Sequence, residues 1–174
     1  MRKDQNLGEY LRTQGVSRRG FLKFCSATAS LMALPPSAVA QVAEALATAR
    51  RPSVIWLSFQ ECTGCTESLT RSHSPTVESL IFDAISLDYH HTLQAAAGHG
   101  AEAAREAAQE ENKGKYILVV DGSIPLDNPA YSTIAGISNL DMLKASAKDC
   151  FAIVSVGTCA AFGGLPNADP NPTG

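Results

Sequence analysis

Tyr116-Ile117-Leu118-Val119-Val120-Asp121-Gly122 decides the fold. Apolar residues follow one another without a break and close on an acidic residue and a glycine. The run is too short for an ordinary helix, and its β-branched content favours a strand. Apolar character at both alternating positions means that both faces of that strand are covered, the condition of a parallel sheet layered between helices.

Outward from this run, the pattern repeats. Residues 151–156, Phe-Ala-Ile-Val-Ser-Val, read as a second buried strand closed by Gly157, and residues 54–59, Val-Ile-Trp-Leu-Ser-Phe, as another after Pro52. Residues 85–89 alternate and form a further strand. Between them lie helical stretches: 75–82 opened by Pro75-Thr76, the alanine- and glutamate-rich 101–111 between glycine breakers, and 134–148 with apolar residues at 137, 140 and 143. Residues 60–70 are polar and read as a loop. Strands alternating with helices predict an α/β fold, an open parallel sheet with helices on both faces. The sequence closes on Asp169-Pro170-Asn171-Pro172-Thr173-Gly174, turn composition with no closing element, as expected of an interrupted protein.

In open parallel sheets, ligands bind beyond the carboxyl ends of the strands. Cys62-Thr63-Gly64-Cys65 follows the strand 54–59, and Gly157-Thr158-Cys159 follows the strand 151–156, so both groups point to one sheet edge. Two thiolates at i and i+3 can grip one metal centre, with Gly64 letting the chain bend. Cys150 precedes the strand that Cys159 follows. At a rise of roughly 3.3 Å per extended residue the two lie on the order of 20 Å apart, so Cys150 reads as a small core residue. Three thiolates are one short of the usual four, which leaves the fourth donor to a histidine, a partner, or residues beyond Gly174.

Two other readings stand beside a metal–sulfur centre at this point. The segment 63–68 after a first strand would suit a flavin phosphate, and a zinc ion stapled by a histidine would also use these thiols. His73, His90, His91 and His99 fit no common ligand spacing and read as surface or interface side chains. Glu61 and Glu67 flank the Cys-x-x-Cys, placed either to carry protons or to hydrogen-bond the loop.

The first forty residues have another character. Ser17-Arg18-Arg19-Gly20-Phe21-Leu22-Lys23 precedes the mildly apolar stretch 24–34, ended by Pro35-Pro36 and followed by Ala38-Val39-Ala40. The stretch is about half the roughly twenty residues that a membrane span needs. Paired arginines, a short apolar region and a small-x-small site resemble a twin-arginine export signal, against an ordinary basic amphipathic helix. Residues 1–40 are thus expected to be a signal peptide, 41–52 a linker and 53–174 the folded domain. Cleavage falls after Ala40 or Ala47, and Cys25 leaves with the signal. That route carries folded proteins, often with a cofactor already inserted.

The chain has 174 residues, 45% of them apolar and 18% charged, a globular balance. Its formal charge of −3 divides into +4 over residues 1–40 and −7 over the remainder. A body that acidic lacks the basic face that nucleic acid requires, which excludes nucleic-acid partners.

Taken together, these motifs resemble the small subunit of nickel–iron hydrogenases. The resemblance is carried by the strand 54–59 running into Glu61-Cys62-Thr63-Gly64-Cys65-Thr66-Glu67-Ser68, by Ile85-Ser86-Leu87-Asp88-Tyr89-His90, by residues 114–125, by Gly157-Thr158-Cys159 and by Asn171-Pro172-Thr173-Gly174. It implies a flavodoxin-like domain in which Cys62, Cys65 and Cys159 are three ligands of the proximal 4Fe–4S cluster. The fourth ligand, the 3Fe–4S or further 4Fe–4S clusters and any membrane-anchoring helix are expected beyond Gly174. The implied reaction is H₂ = 2 H⁺ + 2 e⁻. Bond cleavage then occurs at the nickel–iron site of a separate large subunit, and electrons pass on to an acceptor such as a cytochrome. Periplasmic location follows from the same resemblance. Glu61 matches a residue placed near the family's proton route. Gly64 stands where oxygen-tolerant members carry an extra cysteine, which implies an oxygen-sensitive cluster.

Overall fold

The computed structural model describes residues 6–13, 15–31, 33–48, 51–172 and 174. They fall into two compact units, Met1–Arg51 with Phe82–Ala84, and Pro52–Ile81 with Ile85–Gly174.

The first unit holds three helices, α1 (Leu7–Thr13), α2 (Arg18–Leu31) and α3 (Ala38–Thr48). Each boundary has a local cause. Asn6 and Glu9 form a reciprocal capping box, the Glu9 amide donating to Asn6 Oδ1 at 2.9 Å and the Asn6 amide to Glu9 Oε2 at 3.4 Å. Ser17 Oγ accepts the Gly20 amide at 3.1 Å and caps α2. At the other end of α2, Ala33 turns left-handed (φ 53°), and the Leu34 amide reaches back to the Ala29 carbonyl at 2.9 Å, a Schellman closure before the two prolines. Both α1 and α2 pack on α3, and Cys25, Ala29 and Ala43 are buried. Helix α3 runs across positions 40 and 41, where the sequence suggested a boundary between signal and linker. Among the described residues no helix is long and apolar enough to cross a membrane.

The second unit runs β1 (Ser53–Ser58), α4 (Gly64–Thr70), α5 (Val77–Ser79), β2 (Ser86–His90), α6 (Gly98–Glu111), β3 (Ile117–Asp121), β4 (Thr133–Ile134), β5 (Ile137–Ser138), α7 (Asn139–Ala147), β6 (Ala152–Val156) and α8 (Gly157–Phe162). β1, β2, β3 and β6 form a parallel sheet in the order β2-β1-β3-β6. Ile55, Leu57, Leu118 and Val120 face Ala101 of α6 and Met142 of α7, while Val54, Trp56 and Val119 face Leu69 of α4. The continuous apolar strands thus serve two cores, one on each face, as the sequence suggested. β6 is an edge strand, and its Ile153 and Val154 stand half-exposed.

The register places the site. Ser58, Asp121 and Val156, the last residues of β1, β3 and β6, lie side by side across the sheet. Whatever follows β1 and β6 therefore emerges at one rim, on either side of the end of β3.

Three elements depart from the sequence expectation, the first being β6, read as a buried strand but exposed at Ile153 and Val154 because it stands at the sheet's edge. The polar stretch read as a loop over 60–70 contains helix α4, because Leu69 packs on the sheet and Glu67 sits in the first turn, where a negative charge suits the helix dipole. The helix expected over 134–148 begins only at Asn139. Ala135 (φ 52°) and Gly136 (φ 79°) make a tight turn between β4 and β5, and Ser138 then caps α7 by accepting the Asp141 amide at 3.1 Å.

Candidate metal centre

The rim is built by backbone first. Beyond β1, the Phe59 amide donates to the Asp121 carbonyl (2.7 Å), and Gln60 and Ser123 exchange amide–carbonyl bonds of 3.1 and 2.9 Å. The chain after β1 is thereby tied to the chain after β3. Gly122 (φ 88°) permits the contact, since a Cβ there would stand 2.7 Å from the Gln60 carbonyl oxygen. Glu61 and Cys62 follow directly, and Thr63 in a left-handed conformation (φ 65°) turns the chain into α4, whose first turn carries Cys65.

From the other side comes α8. The Cys65 thiol points at the end of β6, 3.9 Å from the Val156 carbonyl. A Cβ on Gly157 would stand 2.2 Å from Cys65 Sγ, and one on Gly164 would stand 2.6 Å from Cys159 Sγ. Two glycines thus leave room beside two of the three sulfurs.

Asp121 lies between the two arms. It is fully buried, and neither carboxylate oxygen has a partner of full hydrogen-bond geometry. Burial raises its pKa, offset by the Cys65 thiol and the Gly122 amide beside it. Cys65 in turn is pushed up to about 11, first by burial, then by Asp121, then by the charges of Cys62 and Cys159. Cys62 and Cys159 thus both bear on Cys65, one from its own loop and the other from a loop more than ninety residues away. Glu61 is raised by burial and then by Asp121; its Oε1 accepts the Thr63 hydroxyl at 3.3 Å, while Oε2 is buried without a partner.

Among the described residues, no three His, Cys, Asp or Glu side chains close round a single point as one metal ion would require. A cubane cluster does not require it, because each thiolate binds a different iron and the sulfurs stand further apart.

The remaining residues separate clearly. Glu67 pairs with Arg71 at 2.5 Å on the exposed side of α4. Cys150 is half-buried against the core, its thiol donating to the Ala147 carbonyl at 3.3 Å, at the amino end of β6. His73 and His99 are exposed. His90 and His91 correct the expectation of surface histidines. His90 is 1% exposed, stacked on Trp56 with centroids 4.9 Å apart, its Nδ1 accepting the Thr92 and Leu93 amides. His91 Nδ1 accepts the Ser58 amide at 2.8 Å. Their adjacency in a turn-like sequence hid this: the pairing of β2 with β1 buries His90, and His91, half-buried, follows it. Sequence reasoning also missed Asp121, reading it only as the close of the strand. An acid terminating a doubly buried strand was the available signal.

Residues 62–174 match the family whose description is NADH ubiquinone oxidoreductase, 20 Kd subunit. The hydrogenase-2 small chain of Escherichia coli K12 is 48% identical over 165 residues, covering 94% of this chain and 44% of that one. The periplasmic [NiFe] hydrogenase small subunit 1 of Nitratidesulfovibrio vulgaris is 47% identical over 167 residues, covering 95% and 52%. Among solved structures, a reduced, active Ni-Fe-Se hydrogenase from Desulfomicrobium baculatum superposes with a TM-score of 0.69 at 34% identity, over 72% of this chain and 48% of that one. The chain spans about half the length of the curated relatives it matches.

Proposed function

The chain belongs to the 20 Kd-subunit family and, within it, to the nickel–iron hydrogenase small subunits, and from that premise we propose that it is the electron-transfer subunit of such an enzyme. In this reading Cys62, Cys65 and Cys159 hold the proximal 4Fe–4S cluster. The enzyme interconverts H₂ with two protons and two electrons, and cleavage of H₂ takes place on a separate large subunit that bears the nickel–iron site.

The observation that carries this reading is the approach of three thiols from two loops on either side of buried Asp121. The donor set is soft and sulfur-only, which suits iron–sulfur chemistry. Gly157 and Gly164 keep side chains out of the space beside Cys65 and Cys159. When bound, the cluster supplies a one-electron carrier. The chain's own residues would fix the sulfurs, half-bury Cys65 and set the Asp121 carboxyl beside it. On ligation the Cys65 thiol loses its proton, so loading releases protons and grows easier as pH rises. Glu61, at the same rim with one oxygen unpartnered, is the group that takes up and returns a proton.

Export follows the twin-arginine route through Arg18-Arg19, delivering the folded subunit with its large subunit to the periplasm, where a cytochrome-type carrier accepts the electrons. The test is anaerobic purification of the full-length protein with its large subunit, followed by assay of iron, acid-labile sulfide, zinc and flavin. Iron and sulfide that fall on changing any of Cys62, Cys65 or Cys159 to Ser, and survive Cys150→Ser, are expected. Stoichiometric zinc or flavin without sulfide refutes the reading.

A further inference from the structure

Both small-x-small sites that could be cut, Ala38-Val39-Ala40 and Ala45-Leu46-Ala47, lie within helix α3. Proteases accept their sites as extended chain, so α3 must unwind before either is cut. The structure shows what opposes that unwinding. Helix α1 is packed on α3 where Gly8 meets Ala47, so closely that a Cβ on Gly8 would stand 2.9 Å from the Ala47 carbonyl oxygen and 3.2 Å from its Cβ. Helix α2 covers the same partner, burying Cys25 and Ala29 along with Ala43. Arg18 and Arg19, in contrast, stand exposed at the start of α2.

We propose that the N-terminal unit is self-masking: α1 clamps α3 through the Gly8–Ala47 contact and keeps the cleavage sites helical while the paired arginines stay on display. This rests on the export reading above. The clamp lets the arginines be recognised while delaying processing until α1 is displaced. A bulky residue at position 8 would push α1 off α3, and the capping box of Asn6 and Glu9 closes the amino end of α1.

The test uses the purified full-length precursor and a signal peptidase in detergent micelles, following conversion to the shorter form. Gly8→Leu raises the helix propensity of α1 yet cannot seat on Ala47, so conversion is expected to rise about fivefold. The double variant Gly8→Cys with Ala47→Cys can be locked by oxidation, because the two Cβ positions, 3.2 Å apart, reach disulfide span once the helices ease apart by a few tenths of an ångström. Its oxidised form should convert about fivefold more slowly than its own reduced form, a comparison in which the sequence is constant. Unchanged rates in both experiments overturn the clamp. In cells, Arg18→Lys with Arg19→Lys should stop export. If that variant is exported normally, the export reading fails and takes the clamp with it. If export stops but the in vitro rates do not move, the clamp alone is refuted.

Discussion

The backbone of Gly157 lies against the sulfur of Cys65, so near that a single added methyl would come within 2.2 Å of it. Residue 157 also has φ 79°, a conformation that side chains disfavour. Position, conformation and thiol are bound together by the register that sets Val156 beside Asp121.

Gly157→Ala is therefore expected to displace Cys65 and to lower the iron and sulfide content of the purified complex by at least about half, with a cost on the order of 1–3 kcal/mol from backbone strain alone. Gly114→Ala is the control, since Gly114 has φ 72° but nothing within 4 Å of a Cβ. Equal iron loss in both would show that conformation, not the sulfur contact, is responsible.

The Cys65 thiol is pushed up to about 11 by burial first and by Asp121 second, and Asp121→Asn removes the charge behind the second of these. In cluster-free protein, the midpoint of Cys65 alkylation against pH should fall towards the ordinary thiol range, read by mass spectrometry of the peptide bearing residue 65. Burial remains in the variant, so the return should be partial.

His90 supplies a pH dependence. Its pKa is pushed down to about 4, by burial first and by His91 second, against 6.5 for the free side chain. The unfolded chain then binds the extra proton first as pH falls, so stability declines between about pH 6.5 and pH 4 and is full above that window. The shift corresponds to about 3 kcal/mol. Because His90 stacks on Trp56, urea unfolding of cluster-free protein followed by Trp fluorescence reports it directly. His90→Phe should flatten the profile, leaving the smaller contribution of His91, which is lowered in the same sense.

The buried ion pair of Arg105 and Glu102, 3.0 Å apart, is held by Tyr89 on Glu102 (2.6 Å) and by Gln109 on Arg105 (3.0 Å). Removing one partner strands the other charge, so Arg105→Leu should cost about 3–5 kcal/mol. The double change Arg105→Leu with Glu102→Leu should recover part of that, measured by denaturant midpoint. Failure to recover would mean that α6 owes its place to packing and not to charge balance.

By itself the sequence determined the fold class and set Cys62, Cys65 and Cys159 after strands that end at one sheet edge. Runs such as 117–120 can be satisfied only by cover on both faces, and the cysteines follow two such runs at nearly equal distance. Tertiary structure alone decided that Asp121 lies buried between the thiol-bearing arms, that His90 is interior, and that α4 is a helix. Each of these depends on which strand lies beside which, and on the close approach of backbones distant along the chain. Register and burial are collective outcomes of packing, and no residue carries them in its immediate neighbourhood.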